Sequence, residues 1–354
     1  RIGYGTTGQS GVAEYETDGT LRETLYVFGD AAAKGYAPDL LATREVGWEK
    51  TTTTNLGIDF GFINNRIYGS IELYNANTHD LLLESKLPQV TGYAISRANI
   101  GKVNNKGIEI TLNTVNINRM GGLKWETDLT FALHREKVVE IYGDDVDDIN
   151  NNLFIGHPIS SYYTYDYDGI LQDIPEDSAW IEKYNAGGGF FETGEIKVKD
   201  VDGNDTINGF DRKVVGSTVP KFTGGITNRL SYKGLELSVF VYFRVGQGIY
   251  NRSRVPPLDG RYMAWDVKYY NPLDPDRKNA THQQPRDGQI DYQEALWYKE
   301  ASFLKVRNIT LSYNLPTSLI SRVKMNSCQV YVMATNPFLF TDYDYMDPEA
   351  QGRY

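Results

Sequence analysis

Long segments of alternating apolar and polar residues limit the folds open to this chain. Every second residue is apolar in the stretch 55–62, and the stretch 67–74 alternates in the same way after a short turn at 63–66. A period of two places successive side chains on opposite faces of a β-strand. The two stretches therefore predict a β-hairpin with one apolar face and one more polar face.

The same alternation recurs along the rest of the chain. It is found at 108–113, 125–133, 222–244 with a turn at 232–234, 301–315 and 327–335. Several segments reach the ~9–11 residues that a tilted strand needs to cross a bilayer, whereas strands of soluble proteins typically have ~5–6. We therefore predict an all-β fold, a transmembrane antiparallel β-barrel, with a soluble β-sandwich as the alternative.

The connections between the predicted strands fall into two classes. Short turns lie at 63–66, 232–234 and 316–318, and long polar stretches lie at 76–106, 140–220 and 246–298. Outer-membrane barrels have short periplasmic turns and long extracellular loops, and long structureless loops are uncommon in compact soluble domains. We expect the long stretches to lie outside the cell and to contain no helix beyond single turns, as at 30–34 and 317–321.

Composition and motifs exclude several functions. The formal net charge of -10 argues against nucleic-acid binding, because phosphate recognition needs a basic surface. A single cysteine, Cys328, allows no internal disulfide, and the four histidines lack metal-ligand spacing. Gly-x-Ser-x-Gly, His-Glu-x-x-His and phosphate-binding glycine motifs are all absent from the sequence. We therefore predict no catalytic residues and no enzyme activity.

The segment 200–211 has the spacing of a calcium-binding loop, in which hard oxygen ligands converge on one cation. The predicted ligands are Asp200, Asp202, Asn204, Thr206 through its backbone carbonyl, Asn208 and Asp211. Asp205 occupies the sixth position, where such loops normally have glycine, and would have to adopt a left-handed conformation. The alternative is a polar surface turn without an ion. If calcium binds, its expected role is to rigidify an extracellular loop.

Aromatic residues in the long stretches are candidates for contact with a partner or a substrate. We expect Trp180, Trp265, Tyr269 and Tyr270 mainly to pack against a capping protein, with stacking on sugars as the alternative. The tyrosine-rich run 162–167 alternates like a strand and is interpreted as barrel wall or aromatic girdle. Substrate contact is the alternative for this run.

Five segments, in this order, resemble a known family. They lie at 4–11, 47–52, 56–62, 99–109 and 301–313. Together they are similar to the C-terminal barrel region of the SusC/RagA family, and the likeness extends over nearly the whole chain. The resemblance implies part of a 22-stranded barrel that is plugged by an N-terminal domain. It also implies energy supplied through TonB and a SusD-like surface lipoprotein as partner.

On this resemblance, residues 1–354 are expected to be the C-terminal portion of a TonB-dependent transporter barrel. The plug domain, through which TonB acts, and the last strand would lie outside this chain. The expected function is import of large nutrients, oligosaccharides or peptides, by a barrel surrounded by lipid in the cell outer membrane. The alternatives are a siderophore-type TonB-dependent transporter, which usually has no lipoprotein, and a secreted carbohydrate-binding β-protein.

Overall fold

The chain divides into two units, which are described separately. The computed structural model describes residues 1–10, 17–43, 46–142, 145–252, 267–284, 291–321 and 324–349. Unit 1 comprises Arg1–Ile159 and Asn228–Lys233, and unit 2 comprises Ser160–Thr227 and Gly234–Tyr354. Within the described ranges, no helix combines the length and the hydrophobicity needed to cross a bilayer.

Unit 1 is built on a sheet of long strands. Its elements are β1 (Ile2–Gln9), β2 (Leu21–Phe28), β3 (Ala31–Pro38), β4 (Leu40–Leu41), β5 (Glu49–Phe62), β6 (Ile67–Lys86), β7 (Ile95–Met120) and β8 (Leu123–Glu140). The strands follow the order β1-β5-β6-β7-β8, and each neighbouring pair is antiparallel. Strands β2 and β3 form a separate hairpin, and β4 makes a short parallel pair with β7. The predicted hairpin with its turn at 63–66 is confirmed as β5 and β6.

The register of unit 1 brings the predicted apolar residues into continuous rows. One row is Leu56, Leu73, Ile108 and Leu133; the next is Ile58, Ile71, Ile110 and Phe131; the third is Phe60, Gly69, Leu112 and Leu129. Because residues in one row share a face of the sheet, these rows form what we call the apolar band, on the apolar face of unit 1. Leu56 and Ile58 remain 43% and 58% exposed. Among the described residues of unit 1, no second sheet covers these side chains, which contradicts a sandwich.

The stretch 76–106, predicted as a polar loop, is mostly strand. Strand β6 continues to Lys86 and β7 begins at Ile95, so only 87–94 connect them. Residues here pair across the two strands, for example Asn77 with Asn104, with register shifts around Leu81. The prediction was wrong because 77–80 and 104–106 place polar side chains on both faces, and the apolar run 81–83 does not alternate either. With 20 and 26 residues, β6 and β7 exceed the ~9–11 that cross a bilayer, so they continue beyond it.

Unit 2 combines long strands with a set of small elements. Its elements are β9 (Ser161–Tyr165), β10 (Tyr167–Ile170), α1 (Pro175–Ala186), β11 (Ile196–Val198), β12 (Arg212–Ser217), β13 (Phe222–Tyr232), β14 (Leu235–Val245), β15 (Gly248–Tyr250), β16 (Tyr298–Glu300), β17 (Phe303–Asn314), α2 (Thr317–Ile320) and β18 (Gln329–Thr341). The end of β13, from Asn228, belongs to unit 1. The predicted hairpin at 222–244 is confirmed as β13 and β14, with Lys233 and Gly234 at positive φ in its turn.

The long strands of unit 2 repeat the pattern of aligned apolar rows. Strand β14 pairs with β17, which pairs with β18, and all pairs are antiparallel. Leu237 lies opposite Leu311, which lies opposite Val332. The flanking rows are Leu235, Tyr313 and Val330, and Val239, Ile309 and Ala334. The predicted strands at 301–315 and 327–335 therefore share one apolar face, as their alternation requires.

The described parts of the stretches 140–220 and 246–298 are folded rather than structureless. They contain β9 to β12, α1 and β15 and lead into β16; we call these elements the loop module. Among the residues that the structure describes, the strands of the module pair with one another, as β9 with β12, β10 with β11 and β15 with β16. Its core is formed by Tyr165, Ile170, Leu171, Tyr184, Phe191, Ile196, Val198, Tyr270, Ala295 and Leu296. The prediction of loops without structure was therefore wrong.

Two of the predictions about helices were wrong and one is confirmed. Helix α1 has 12 residues, although only single turns were expected. Its buried residues are Asp177 and Tyr184, which form no apolar stripe, so the sequence carries no helical periodicity there. The stretch 30–34 enters β3 instead of forming a helical turn, whereas α2 confirms the turn expected at 317–321.

Candidate functional site

The polar face of unit 1 lies on the other side of the sheet from the apolar band. Asp59 lies opposite Ser70 in one row, and Glu72 lies opposite Glu109 in the next. The guanidinium of Arg1 donates to Asp59 at 2.6 Å and to Glu72 at 3.0 Å. Like charges opposite each other in a sheet are unfavourable unless water or a counter-charge screens them. This face therefore suits contact with water.

The loop module of unit 2 is held together by aromatic packing around α1. The ring centroid of Trp180 lies 4.3 Å from that of Tyr184 and 4.8 Å from that of Phe191. Tyr270 is buried in the same unit, and Tyr269 packs edge-on against His282. These described aromatic residues therefore pack within the protein, and their contact with a capping protein stays a prediction. Trp265 lies outside the described residues.

The tyrosine-rich run 162–167 lies in the loop module. Strand β9 pairs with β12 in a two-stranded sheet separate from the sheet of long strands, so the interpretation of this run as barrel wall is wrong. Alternation of apolar and polar residues predicts a strand, but it does not predict which sheet the strand joins. Tyr165 is buried and packs edge-on against Tyr292 at 4.9 Å.

Sequence reasoning missed a cluster of half-buried rings in the module. Tyr162 stacks on Tyr250 at a centroid distance of 5.1 Å and contacts Tyr298 at 5.4 Å, while Tyr250 lies 5.6 Å from Trp297. The Tyr298 ring packs over Gly216 and Gly248, where a side chain would clash with it. These four rings come from segments more than 40 residues apart, as the numbering shows. Only the tertiary fold could bring them together.

Helix α1 is anchored to the module by a buried ion pair. The Nζ atom of Lys197 lies 2.8 Å from Asp177 and 3.8 Å from Asp168. The second carboxylate oxygen of Asp177 accepts a hydrogen bond from the backbone N–H of Gln172 at 2.8 Å. Because Asp177 is buried, both of its oxygens need such partners.

The predicted calcium loop brings three of its ligands together. One carboxylate oxygen from each of Asp200, Asp202 and Asp211 lies within 4.8 Å of the others. The side-chain oxygens of Asn204 and Asn208 accept local hydrogen bonds from the backbone N–H groups of Thr206 and Phe210, both at 2.8 Å. The carbonyl of Thr206 accepts a long hydrogen bond from Asn208 at 3.5 Å.

The backbone of this loop favours the charged form of the Asp200 carboxylate. Burial works to raise the pKa of Asp200, but hydrogen bonds from the backbone N–H groups of Asp205 and Gly203 outweigh it and leave the pKa below its usual value. Asp211 is buried and accepts from the N–H groups of Val201 and Asn208. A set of converging hard oxygens fits calcium. Asp205 has φ of +62°, which confirms the expected left-handed conformation.

The chain matches a family of membrane receptors along its whole length. It is 30% identical over 368 residues to TonB-dependent receptor P3 of Formosa agariphila. This alignment covers 100% of this chain and 36% of that relative. It is 26% identical over 381 residues to TonB-dependent receptor SusC of Bacteroides thetaiotaomicron. This second alignment covers 99% of this chain and 35% of that relative. The chain thus spans about a third of the length of the curated relatives it matches. No protein-family profile matches the chain.

Solved structures agree with the sequence relatives. A structure described as the RagAB peptide transporter superposes with a TM-score of 0.74 at 25% identity, over 99% of this chain and 38% of that one. The RagAB peptide importer in its open-open state superposes with a TM-score of 0.72 at 24% identity, over 99% of this chain and 37% of that one. The long antiparallel strands with aligned apolar rows are therefore those of a transporter barrel. Over its whole length the chain is therefore similar to about a third of the length of TonB-dependent receptors of the SusC/RagA type, which are non-enzymatic β-barrel proteins of the outer membrane.

Proposed function

We propose that this chain supplies part of the wall and of the extracellular loops of a TonB-dependent importer of large nutrients. The observation that carries the proposal is the two-faced register of unit 1. The apolar band suits hydrocarbon, while Asp59, Glu72 and Glu109 on the polar face suit a water-filled lumen. The mechanism is conformational gating: a plug formed by other parts of the whole protein moves when TonB acts on it. Residues of this chain perform no covalent chemistry.

The loop module is our candidate for docking a SusD-like lipoprotein. Its aromatic core and the anchored helix α1 make it a formed surface rather than a mobile loop. Phe190 and Phe210 are 93% and 81% exposed on this module. Large aromatic side chains that stand in water are typical of protein interaction sites.

The same module is our candidate for nutrient contact. The half-buried cluster of Tyr162, Tyr250, Trp297 and Tyr298 presents ring faces and edges. Such rings stack on sugar faces and on apolar peptide side chains, so we propose both oligosaccharides and peptides as candidate substrates of the importer.

Growth experiments in the native host test the importer. We expect deletion of the gene to abolish growth on one oligosaccharide or peptide mixture as sole carbon source, as deletion of TonB does. Full-length protein with Trp297→Ala should restore growth poorly, and Tyr36→Ala, an exposed aromatic in β3, should restore it fully. Unchanged growth of the deletion strain on every such nutrient would refute the importer.

We also propose that the loop 200–211 binds calcium and rigidifies the module. Support comes from the three converging carboxylates and from the left-handed backbone at Asp205. Extracellular calcium modules bind with Kd of about 10⁻⁴–10⁻³ M. We expect added calcium to slow amide hydrogen exchange at 200–211 in the full-length protein, and Asp202→Asn to weaken this effect. Asp205→Asn is the matched control, because Asp205 is not a predicted ligand; equal protection in both variants would contradict the site.

A further inference from the structure

Three cationic side chains lie together on the apolar face of unit 1, at one end of the apolar band. Lys106 of β7 lies opposite Arg135 of β8, one row beyond Ile108 and Leu133 of the band. Lys137 lies on the same face, one row further along β8. All three residues are exposed. Opposite residues have Cβ atoms ~5 Å apart and successive rows are ~7 Å apart, so the three charges form one cluster.

No acidic residue shares these rows on β5 to β8. The row of Lys106 and Arg135 is completed by Thr54 and Asn75, and the row of Lys137 by Thr52, Asn77 and Asn104. Asn104 donates to the side-chain oxygens of Asn75 and Asn77 at 2.7 and 2.8 Å, so the rows stay polar but uncharged.

Other lysines of unit 1 differ from those of the cluster. Lys50 pairs with Asp80 at 3.4 Å, and Lys102 pairs with Glu140 at 2.5 Å. Within the described ranges, neither Lys106 nor Lys137 forms an ion pair with a carboxylate. Like charges placed opposite each other destabilise a sheet. An external anion that binds Lys106 and Lys137 would reduce this cost.

The position of the cluster identifies the anion. The cluster lies toward the end of the sheet where 87–94 connect β6 and β7, and the short turn at 121–122 lies at the other end. Because outer-membrane barrels have short periplasmic turns, the cluster is at the extracellular boundary of the band, at the level of the outer lipid headgroups. Basic side chains at this level attract anionic headgroups, and arginine binds phosphate with two parallel hydrogen bonds.

We propose that Lys106, Arg135 and Lys137 form a binding site for phosphorylated headgroups of outer-leaflet lipid. A lipid can occupy the cluster with its phosphate and the apolar band with its acyl chains at the same time. Inorganic phosphate could use only the cluster. The site is independent of the nutrient that the barrel carries, because it lies on the face opposite the polar face.

Lipid binding to the full-length protein in nonionic detergent tests the site. The probes are a phosphorylated outer-leaflet glycolipid, the same lipid after enzymatic dephosphorylation, and millimolar inorganic phosphate, with bound lipid measured by native mass spectrometry. We expect the wild-type protein to retain the phosphorylated lipid at least ten-fold better than the dephosphorylated one. The variant Lys106→Gln/Arg135→Gln/Lys137→Gln should lose this preference, and Lys106→Arg/Lys137→Arg should keep it.

The matched control removes three other exposed lysines, Lys34, Lys268 and Lys278, as glutamines and so changes the net charge equally. This control should keep the preference for the phosphorylated lipid. The proposal is overturned if the Lys106/Arg135/Lys137 variant, shown to be folded by its gel mobility before heating, retains the preference. It is also overturned if inorganic phosphate binds as tightly as the phosphorylated lipid, because the acyl chains would then contribute nothing.

Discussion

Asp205 shows at the scale of one residue how backbone conformation limits the loop 200–211, our proposed calcium site. Its φ of +62° is costly for a residue with a Cβ atom and free of cost for glycine. We expect Asp205→Gly to stabilise the loop by about 0.5–1 kcal/mol and Asp205→Ala to destabilise it. Amide hydrogen exchange at 201–211 in the full-length protein measures both changes. Faster exchange in Asp205→Gly than in Asp205→Ala would contradict the assigned conformation.

Asp166 makes the loop module sensitive to acid. Burial works to raise the pKa of Asp166, but hydrogen bonds from Lys213 at 2.7 Å and Lys199 at 3.1 Å outweigh burial and lower the pKa. A lowered pKa in the folded state means that Asp166 stabilises the module above its ordinary pKa of ~3.9. This stabilisation is lost as the pH falls through the folded-state pKa.

Protection factors for the amides of β9 and β12 measure this effect between pH 6 and pH 2. We expect protection to fall below about pH 4 in the wild-type protein. Asp166→Asn should show lower protection at neutral pH and a smaller further loss in acid, because its side chain cannot take up the proton. An acid response of unchanged size in Asp166→Asn would assign the effect to other carboxylates.

At the scale of elements, helix α1 depends on one buried ion pair. Asp177→Ala removes the nearer of the two carboxylate partners of Lys197, whose side chain is only 19% exposed, and also the acceptor for the N–H of Gln172. Breaking a buried pair from one side costs about 3 kcal/mol. We therefore expect rapid proteolysis within 175–198 in Asp177→Ala at temperatures where the wild type resists cleavage.

Glu176 provides the control for this prediction, because it lies in the same first turn of α1 but is exposed. Glu176→Ala should leave the cleavage rate within two-fold of wild type, since exposed charges contribute little. Equal cleavage of the two variants would show that α1 is held by its aromatic contacts alone.

At the scale of the whole molecule, the two faces of unit 1 differ in what they tolerate. Ile71 lies in the middle row of the apolar band, and Ser70 lies next to it on the polar face, opposite Asp59. An arginine that faces hydrocarbon near the bilayer centre costs about 2–4 kcal/mol. We expect Ile71→Arg to reduce the folded fraction in outer membranes, measured by gel mobility before heating, and Ser70→Arg to have little effect. A lower folded fraction for Ser70→Arg than for Ile71→Arg would contradict the assignment of the apolar band to lipid and of the polar face to the lumen.

The alternation of the sequence determined the two faces of the long strands, because a period of two is a local property of each segment. The parity of Leu56, Ile71, Ile110 and Phe131 could be assigned without coordinates, and the register aligns them as expected. Spacing within 12 consecutive residues also predicted the meeting of Asp200, Asp202 and Asp211.

Only the tertiary structure decided which sheet each strand joins and what fills the long connections. The sequence of β9 alternates like a barrel strand, yet β9 pairs with β12 in the loop module. Helix α1 has no apolar stripe, and its place depends on Trp180, Phe191 and Lys197. Likewise, Lys106 and Arg135 become neighbours only through the register of β7 and β8. The physical reason is that pairing and packing join residues far apart in sequence, whereas periodicity records only each residue's nearest neighbours.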